Sequence, residues 1–301
     1  MKVPPVLGRW LAGGIAMAMS IGAPAGAQTR RPLAPLPSDG QRVVPFFDGW
    51  YQNPDGTVTL SFGYSNLNQE EVVEIPIGPD NVITPKEYDG VQPTSFPPII
   101  AGSASGSGGA GPRRERERGV FVITIPAGFS GDVVWTLRNQ GQTFSVPGRA
   151  RTAAYQLRWP MAMGSIPPLL RFMPDGGAGR GPAGIEAYPA RTSVGTALPL
   201  AIWLTDDSVR EPEPVTVVTK GAAKAAMNVI WRKHAGPGAI VFNPQMQPVP
   251  ELLGTATTSA TFTQPGEYVV RVRADNFGRL DTSPGNQCCW TNGYVTVTVT
   301  P

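Results

Sequence analysis

The stretch PGEYVVRVRADN, residues 265–276, decides the fold of the C-terminal half of this chain. Tyr268, Val270, Val272 and Ala274 of this stretch share one face of an extended strand. Such strict alternation is typical of a half-buried antiparallel strand, because successive side chains point to opposite faces. Arg271 and Arg273 fall on the other face, where we expect them to point to solvent.

The same alternation continues on both sides of this stretch. Apolar residues alternate in TALPLAIWLTDD (196–207), in PVTVVTKG (214–221), in MNVIWRKHAGPGAIVF (227–242) and in the closing GYVTVTVTP (293–301). Tyr268 follows a Gln-Pro-Gly turn and heads a long strand, as the tyrosine corner of Greek-key sandwiches does. The second half is therefore predicted to be an antiparallel β-sandwich.

The second half resembles the immunoglobulin-like class, and within it the PKD-type extracellular modules. The residues that carry the resemblance are Trp231, Phe262, PGEY at 265–268, Ala274 with Asp275, and the terminal YVTVTVT. It departs from the PKD pattern after the tryptophan strand, where RKHAGPG replaces the usual aromatic-Asp-Phe-Gly-Asp-Gly turn. The resemblance implies a passive module for adhesion, spacing or carbohydrate contact, although a fold does not determine a function.

The first half shows the same period of two. Clear examples are TVTLSFGY (57–64), GVFVITIP (119–126) and the hairpin VVWTLRNQGQTFSVPG (133–148). NPDG at 53–56 has the residue types of a tight turn between two strands. The cluster Phe46, Phe47, Trp50 and Tyr51 is interpreted as core. The segment 49–81 resembles one found in exported bacterial proteins of unassigned function, and that resemblance implies no catalytic residue.

The chain is therefore predicted to be all-β, with two tandem antiparallel β-sandwich (Ig-like) domains after a signal peptide. Residues 1–27 have the charged start, apolar middle and small-residue exit of a signal peptide, so we expect export to the periplasm or the extracellular space. The predicted order is a flexible segment 28–40, a sandwich 41–155 with a disordered insert 101–119, a Pro/Gly-rich linker 156–187, and a sandwich 188–301.

Charge gives no reason to expect a nucleic-acid partner. Without Lys2 and Arg9 of the signal peptide, 23 basic residues face 22 acidic ones, a net charge of about +1. Nucleic-acid binding is dominated by phosphate neutralisation and needs a larger basic excess. No segment after residue 27 is apolar enough to predict a membrane span.

The residues that usually carry catalysis are scarce. His234 is the single histidine, and it is interpreted as a surface-loop residue in RKHAGPG. Neither G-x-S-x-G nor C-x-x-C occurs. Asp206, Asp207, Asp275 and Asn276 lie at predicted strand ends, where oxygen ligands sometimes bind calcium. Turn formation and solvated charge also explain these four residues, and no cofactor is otherwise expected.

Cys288 and Cys289 are adjacent and directly precede Trp290. Three interpretations stay open: a vicinal disulfide that forms a rigid contact ridge with Trp290, two unbridged thiols, and bridges to another chain. In an oxidising compartment cysteines tend to pair, and neighbours can pair only in a tight ring. Such a ring would lie at the end of the sandwich where binding loops of Ig-like domains cluster.

Two functions follow from these observations. One is a secreted non-catalytic protein that binds an extracellular protein or polysaccharide through the loops near Cys288, Cys289 and Trp290. The alternative is an accessory or catalytic subunit of a secreted polysaccharide hydrolase, which needs two carboxylates that converge across a cleft.

Overall fold

Strands with alternating apolar residues make up nearly all the regular structure. The computed structural model describes residues 38–98, 100–101, 113–114, 116–157, 165–209, 226–276 and 289–301, all within one compact unit. The predicted signal peptide, most of the segment 28–40 and the predicted strand 214–221 lie outside these residues. Within the described ranges, no helix has both the length and the apolar character needed to cross a membrane.

In the part of the first sandwich that the structure describes, there are ten strands. They are β1 (Val43–Gln52), β2 (Val58–Asn66), β3 (Val73–Glu74), β4 (Asn81–Thr84), β5 (Ser95–Phe96), β6 (Ile100–Ala101), β7 (Arg113–Arg114), β8 (Glu117–Ile125), β9 (Val133–Asn139) and β10 (Gln142–Gly148). This half also contains two 3₁₀ helices, Lys86–Tyr88 and Ala153–Tyr155. Its main sheets have the orders β1-β2-β8 and β10-β9-β4.

Aromatic residues form the first core, as the alternation predicts. Trp135 meets the rings of Phe62 and Phe121 edge-on and stacks with Phe96, and all four are buried. The predicted NPDG turn joins β1 to β2, and β9 and β10 form the predicted hairpin. In the N-terminal aromatic cluster Phe47, Trp50 and Tyr51 are buried and Phe46 is half-buried.

The described residues of the second sandwich form eleven strands. They are β11 (Leu169–Arg171), β12 (Ala178–Gly179), β13 (Ile185–Glu186), β14 (Ala190–Ser193), β15 (Leu198–Thr205), β16 (Met227–Ala235), β17 (Ile240–Asn243), β18 (Met246–Val249), β19 (Leu253–Phe262), β20 (Gly266–Asp275) and β21 (Trp290–Thr300). The sheet orders are β12-β11-β15-β19-β17 and β13-β21-β20-β16-β18, and β14 runs parallel to β21. The all-β, tandem β-sandwich prediction is confirmed.

The tyrosine corner is present. The hydroxyl of Tyr268 donates a hydrogen bond to the carbonyl of Gln264 at 2.8 Å and accepts one from the amide of Gly238 at 2.9 Å. β19 and β20 flank this corner but belong to different sheets, so Tyr268 stands where the chain crosses from one sheet to the other. Its buried ring packs edge-on against Phe262.

The structure differs from the predicted segment boundaries in two places. Residues 165–187, within the predicted linker, contain β11, β12 and β13, which pair within the sheets of the second sandwich. Within the predicted insert, residues 101 and 113–114 belong to the paired strands β6 and β7. Residues 117–119 belong to β8, where Glu117 lies opposite Tyr64 of β2. Residues 102–112 and 115 of that insert lie outside the described part. Strand pairing, which composition does not reveal, explains both differences.

The prediction that Arg271 and Arg273 point to solvent is wrong. Their exposed fractions are 3% and 1%, because the first sandwich covers the outer face of β20 and its neighbours. His234, predicted in a surface loop, is instead a buried residue of β16. Alternation correctly separates the two faces of this sheet, but the first sandwich buries the face that was predicted to be exposed to solvent.

Candidate functional site

One end of the second sandwich collects most of the predicted site residues. We call it the pole and define it by residues 165–166, 206–209, 251–253, 275–276 and 289–290. Antiparallel pairing brings these segments together: Leu253 lies opposite Thr205 at the end of β15, and Asp275 lies opposite Trp290. The amide of Asp206 donates to the carbonyl of Leu252 at 2.7 Å, which continues the pairing beyond β15.

A hydrogen-bond network centred on Asp206 connects three segments of the pole. Oδ1 of Asp206 accepts from the hydroxyl of Ser208 at 2.6 Å and from Nδ2 of Asn276 at 2.8 Å. The same Nδ2 donates to the carbonyl of Ile166 at 2.8 Å. Because Asp206 and Asn276 are both buried, their bonds hold the ends of β15 and β20 together.

The other two predicted calcium ligands are engaged with arginines. Asp207 forms a two-pronged ion pair with Arg180, with both N–O distances at 2.9 Å. The hydrogen bond from Arg180 lowers the pKa of Asp207. Asp275 accepts from Nη2 of Arg273 at 3.2 Å. The structure thus joins Asp206 to Asn276 but directs Asp207 and Asp275 elsewhere. The described ranges contain no group of three or more His, Cys, Asp and Glu side chains suited to a metal, and calcium binding stays a prediction.

Cys289 and Trp290 are interior residues of the pole. Cys289 carries no free thiol, is fully buried, and places its sulfur 3.3 Å from the carbonyl oxygen of Ser165. Cys288 lies outside the described residues, so the vicinal ring stays a prediction. Trp290 is 1% exposed, and the guanidinium of Arg273 lies over its ring at 4.2 Å. Trp290 therefore forms no exposed ridge, because the guanidinium of Arg273 covers the face of its indole ring.

Sequence reasoning missed the exposed apolar residues of the pole. Val209, Leu252 and Leu253 have exposed fractions of 87%, 55% and 72%. A signal for Leu253 was available: in β19 the buried residues are Ala256, Thr258, Ala260 and Phe262, and Leu253 falls on the opposite phase. Exposed aliphatic side chains clustered at one end of a domain are candidates for a contact surface.

A second polar cluster lies where the sandwiches meet, and it is centred on Glu117. Its carboxylate accepts from Nη2 of Arg271 at 2.5 Å, and Arg273 and Arg232 lie 3.7 and 3.9 Å away. Burial alone raises the pKa of Glu117, but the three guanidiniums outweigh burial and hold it at about 2. The predicted disordered insert 101–119 thus contributes a buried carboxylate, Glu117.

His234 borders the same contact. The gap lined by His234, Arg271, Arg232 and Tyr64 has no space for a water molecule. Burial, and then the charge of Arg271, lower the pKa of His234 to about 4, against the raising effect of a hydrogen bond to Val91. Since a catalytic cleft must admit substrate, we interpret this cluster as a structural contact.

Comparisons with known proteins find weak structural likenesses. No family model matches the chain, and no curated protein matches it. The PapD-like domain 7 of human CEP192 is 9% identical, with TM-score 0.27, over 50% of this chain and 97% of that domain. The D00-D0 domain of intimin is 12% identical, with TM-score 0.25, over 85% of this chain and 100% of that domain. The Yersinia pseudotuberculosis adhesin InvE is 12% identical, with TM-score 0.22, over 85% of this chain and 58% of the InvE chain. Likenesses at such scores say nothing about activity or partner. Neither resemblance to a sequence family receives support from a family match.

Proposed function

We propose that this chain is an exported, non-catalytic binding protein that contacts an extracellular protein or polysaccharide through the pole of its second sandwich. The observation that carries the proposal is the group of exposed apolar side chains Val209, Leu252 and Leu253, held on a network of buried hydrogen bonds. Export rests on the signal-peptide pattern of residues 1–27.

The geometry of the pole supports contact through a fixed surface. Buried Asp206 and Asn276 fix the ends of β15 and β20, so the backbone beneath Leu252 is held by its bond from Asp206. A pre-organised apolar surface loses little entropy on binding. Since leucine and valine offer no hydrogen bonds to sugar hydroxyls, these side chains favour an apolar patch on a protein.

The hydrolase alternative finds less support. The three aspartates of the pole have donor partners: Asp206 with Ser208 and Asn276, Asp207 with Arg180, and Asp275 with Arg273. Asp206 and Asp275 are buried, and the pKa of Asp207 is lowered, whereas a general acid needs a raised one.

Binding by the full secreted chain to a panel of immobilised extracellular proteins and polysaccharides tests the proposal. The double variant Leu252→Ser/Leu253→Ser should lose at least tenfold in affinity for the probe that the wild type binds. Met173→Ser is the matched control, because Met173 is also exposed and follows β11 at the end away from the pole. Equal binding by the double variant and the wild type, or turnover of a polysaccharide that one aspartate substitution abolishes, would contradict it.

A further inference from the structure

Polar groups from both sandwiches meet around His234, far from the pole. The amide of Thr94 in the first sandwich donates to the carbonyl of His234 at 2.8 Å. Nε2 of the imidazole lies 3.0 Å from the carbonyl oxygen of Val91 and must donate, since a carbonyl only accepts. The amide of Gly236 donates to the hydroxyl of Thr94 at 3.3 Å. The contact thus uses the imidazole in one tautomer.

The other ring nitrogen of His234 is unsuited to carry a proton. Nδ1 is buried and has no hydrogen-bond partner. The ring of Tyr294 meets the imidazole edge-on, with 5.5 Å between the ring centroids. The titratable or charged groups around it are Arg232, Lys233, Arg271, Tyr64, Tyr294, Glu74 and Glu117.

Neither acid in this set is available to an imidazolium. Glu74 pairs with Lys233 at 2.9 Å, and Glu117 is held by the arginines. A second proton on His234 would therefore add a positive charge beside Arg271 with no acceptor for its N–H, which is costly in a dry interior.

The apolar cores of the two sandwiches are separate. The apolar cluster of the first sandwich runs through Phe62 and Trp135, that of the second through Trp231 and Val270, and the two clusters share no residue. Polar contacts bridge the sandwiches instead. Arg271 and Tyr294 both donate to the carbonyl of Val120, Asn292 donates to that of Gly119, and the ion pairs Glu117–Arg271 and Glu74–Lys233 also cross the contact. Water can satisfy these polar groups once the surfaces part.

We propose that the contact between the sandwiches is an acid-sensitive latch, in which protonation of the His234 imidazole beside Arg271 separates the two sandwiches while each keeps its own core. This inference concerns the contact alone and does not depend on the function proposed for the pole.

Proton linkage gives the direction and the pH window. The pKa of His234 is about 4 when the contact is closed and rises toward the ordinary value of 6.5 when solvent reaches the ring. The open state therefore binds more protons between these values, and acid favours it. The open-to-closed ratio should grow by up to about tenfold for each pH unit between about 6.5 and 4. Glu117, with a pKa of about 2, stays ionised throughout that window.

Amide protection and small-angle scattering of the full chain test the latch between pH 7 and pH 4. We expect the Thr94 amide to lose protection at acid pH and the maximum dimension to grow, while amides of β9 and β19 stay protected. Full recovery should follow a return to pH 7. If Thr94 keeps its protection at pH 4, or if the β9 and β19 amides lose theirs at the same pH, the latch is refuted.

A variant identifies the titrating group. His234→Gln keeps a donor for the Val91 carbonyl but has no proton to gain, so its opening should show no pH dependence between 6.5 and 4. Asp132→Asn, which removes an exposed carboxylate paired with Arg149, is the control and should open like the wild type. An unchanged opening profile in His234→Gln would overturn the proposal. If that variant does not fold, the wild-type amide pattern decides.

Discussion

The carboxylate of Glu117 in the first sandwich accepts a hydrogen bond from the guanidinium of Arg271 in the second, 154 residues further along the chain. A β-bulge opposite Gly63 brings Glu117 to this point. Asp48 supports the bulge by accepting from the amide of Gly119 at 2.8 Å and from Arg116 at 2.9 Å. A Cβ at position 63 would lie 2.1 Å from the carbonyl oxygen of Glu117, so glycine is required there. The register of β8 thus sets the contact between the sandwiches.

Glu117→Gln should lower the free energy of unfolding by about 3–5 kcal/mol, because it leaves buried arginines without their counter-charge. Chemical denaturation of the purified chain at pH 7 measures the loss. Asp132→Asn removes an ion pair that is far more exposed and should cost at most about 1 kcal/mol. If the two variants lost the same free energy of unfolding, the buried ion pairs of Glu117 would stabilise the fold no more than the exposed pair does.

The stabilising effect of Glu117 should depend on pH. Its pKa is about 2 in the folded chain, against an ordinary value of 4.5, so its contribution is complete above about pH 4.5 and is lost as the pH falls toward 2. The difference amounts to about 3 kcal/mol. Denaturation of the wild type and Glu117→Gln across pH 7 to 2 should show the two stability curves converging in acid. Parallel curves would contradict the depressed pKa.

Tyr268→Phe should destabilise the second sandwich by about 1–3 kcal/mol. The substitution leaves the Gly238 amide without its acceptor and the Gln264 carbonyl without its donor, in an environment that is largely dry. The control is Tyr188→Phe, because Tyr188 is 83% exposed and its change should stay within about 0.5 kcal/mol. Thermal unfolding followed by circular dichroism measures both. A neutral Tyr268→Phe would mean that the corner adds no stability.

Gly184→Ala should be severely destabilising, by more than about 3 kcal/mol, because a steric clash adds to backbone strain. Gly184 has a φ of +62°, and a Cβ there would lie 1.8 Å from the carbonyl oxygen of Asn292. Gly195 has a similar φ of +74° with nothing within 4 Å of a Cβ. Gly195→Ala therefore measures the strain alone, about 1–2 kcal/mol. Similar losses at both positions, measured by chemical denaturation, would rule out the clash.

Reduction should raise the intact mass of the secreted chain by about 2 Da with no change in oligomer, as an internal bridge between Cys288 and Cys289 requires. The absence of a free thiol at Cys289 supports this expectation. Mass spectrometry with and without reductant, together with size-exclusion chromatography, makes the measurement. An unchanged mass would indicate unbridged thiols, and loss of a dimer on reduction would indicate bridges to another chain.

Much of the strand framework was predictable because its signal is local. Alternation identified the inward faces of β8, β9 and β20. The Asn-Pro-Asp-Gly turn located the junction of β1 and β2, and the Pro-Gly turn located the start of β20. Tyr268 was recognised from its position after a turn, and its hydrogen bonds to Gln264 and Gly238 agree with that assignment. The candidate site was predictable only in outline: the sequence pointed to strand ends near Asp206 and Asn276, which the fold does bring together.

The environments of charged residues were not predictable in the same way. The sequence predicted solvent-exposed side chains at four positions that are in fact buried: Arg271, Arg273, His234 and Glu117. Trp290 read as an exposed contact residue, and Arg273 covers it. Alternation shows which side chains share a face but not what packs on that face.

The sequence by itself determined the all-β class, the two sandwiches and the inward row of each long strand, since these depend on neighbours two residues apart. Only the tertiary structure decided which outer face became a contact and which end stayed open. Glu117 and Arg271 are 154 residues apart in the sequence, and only the folded chain brings them into a buried ion pair. A charge buried by another domain is stable only when its partner arrives from elsewhere in the chain, and no local pattern records that partner.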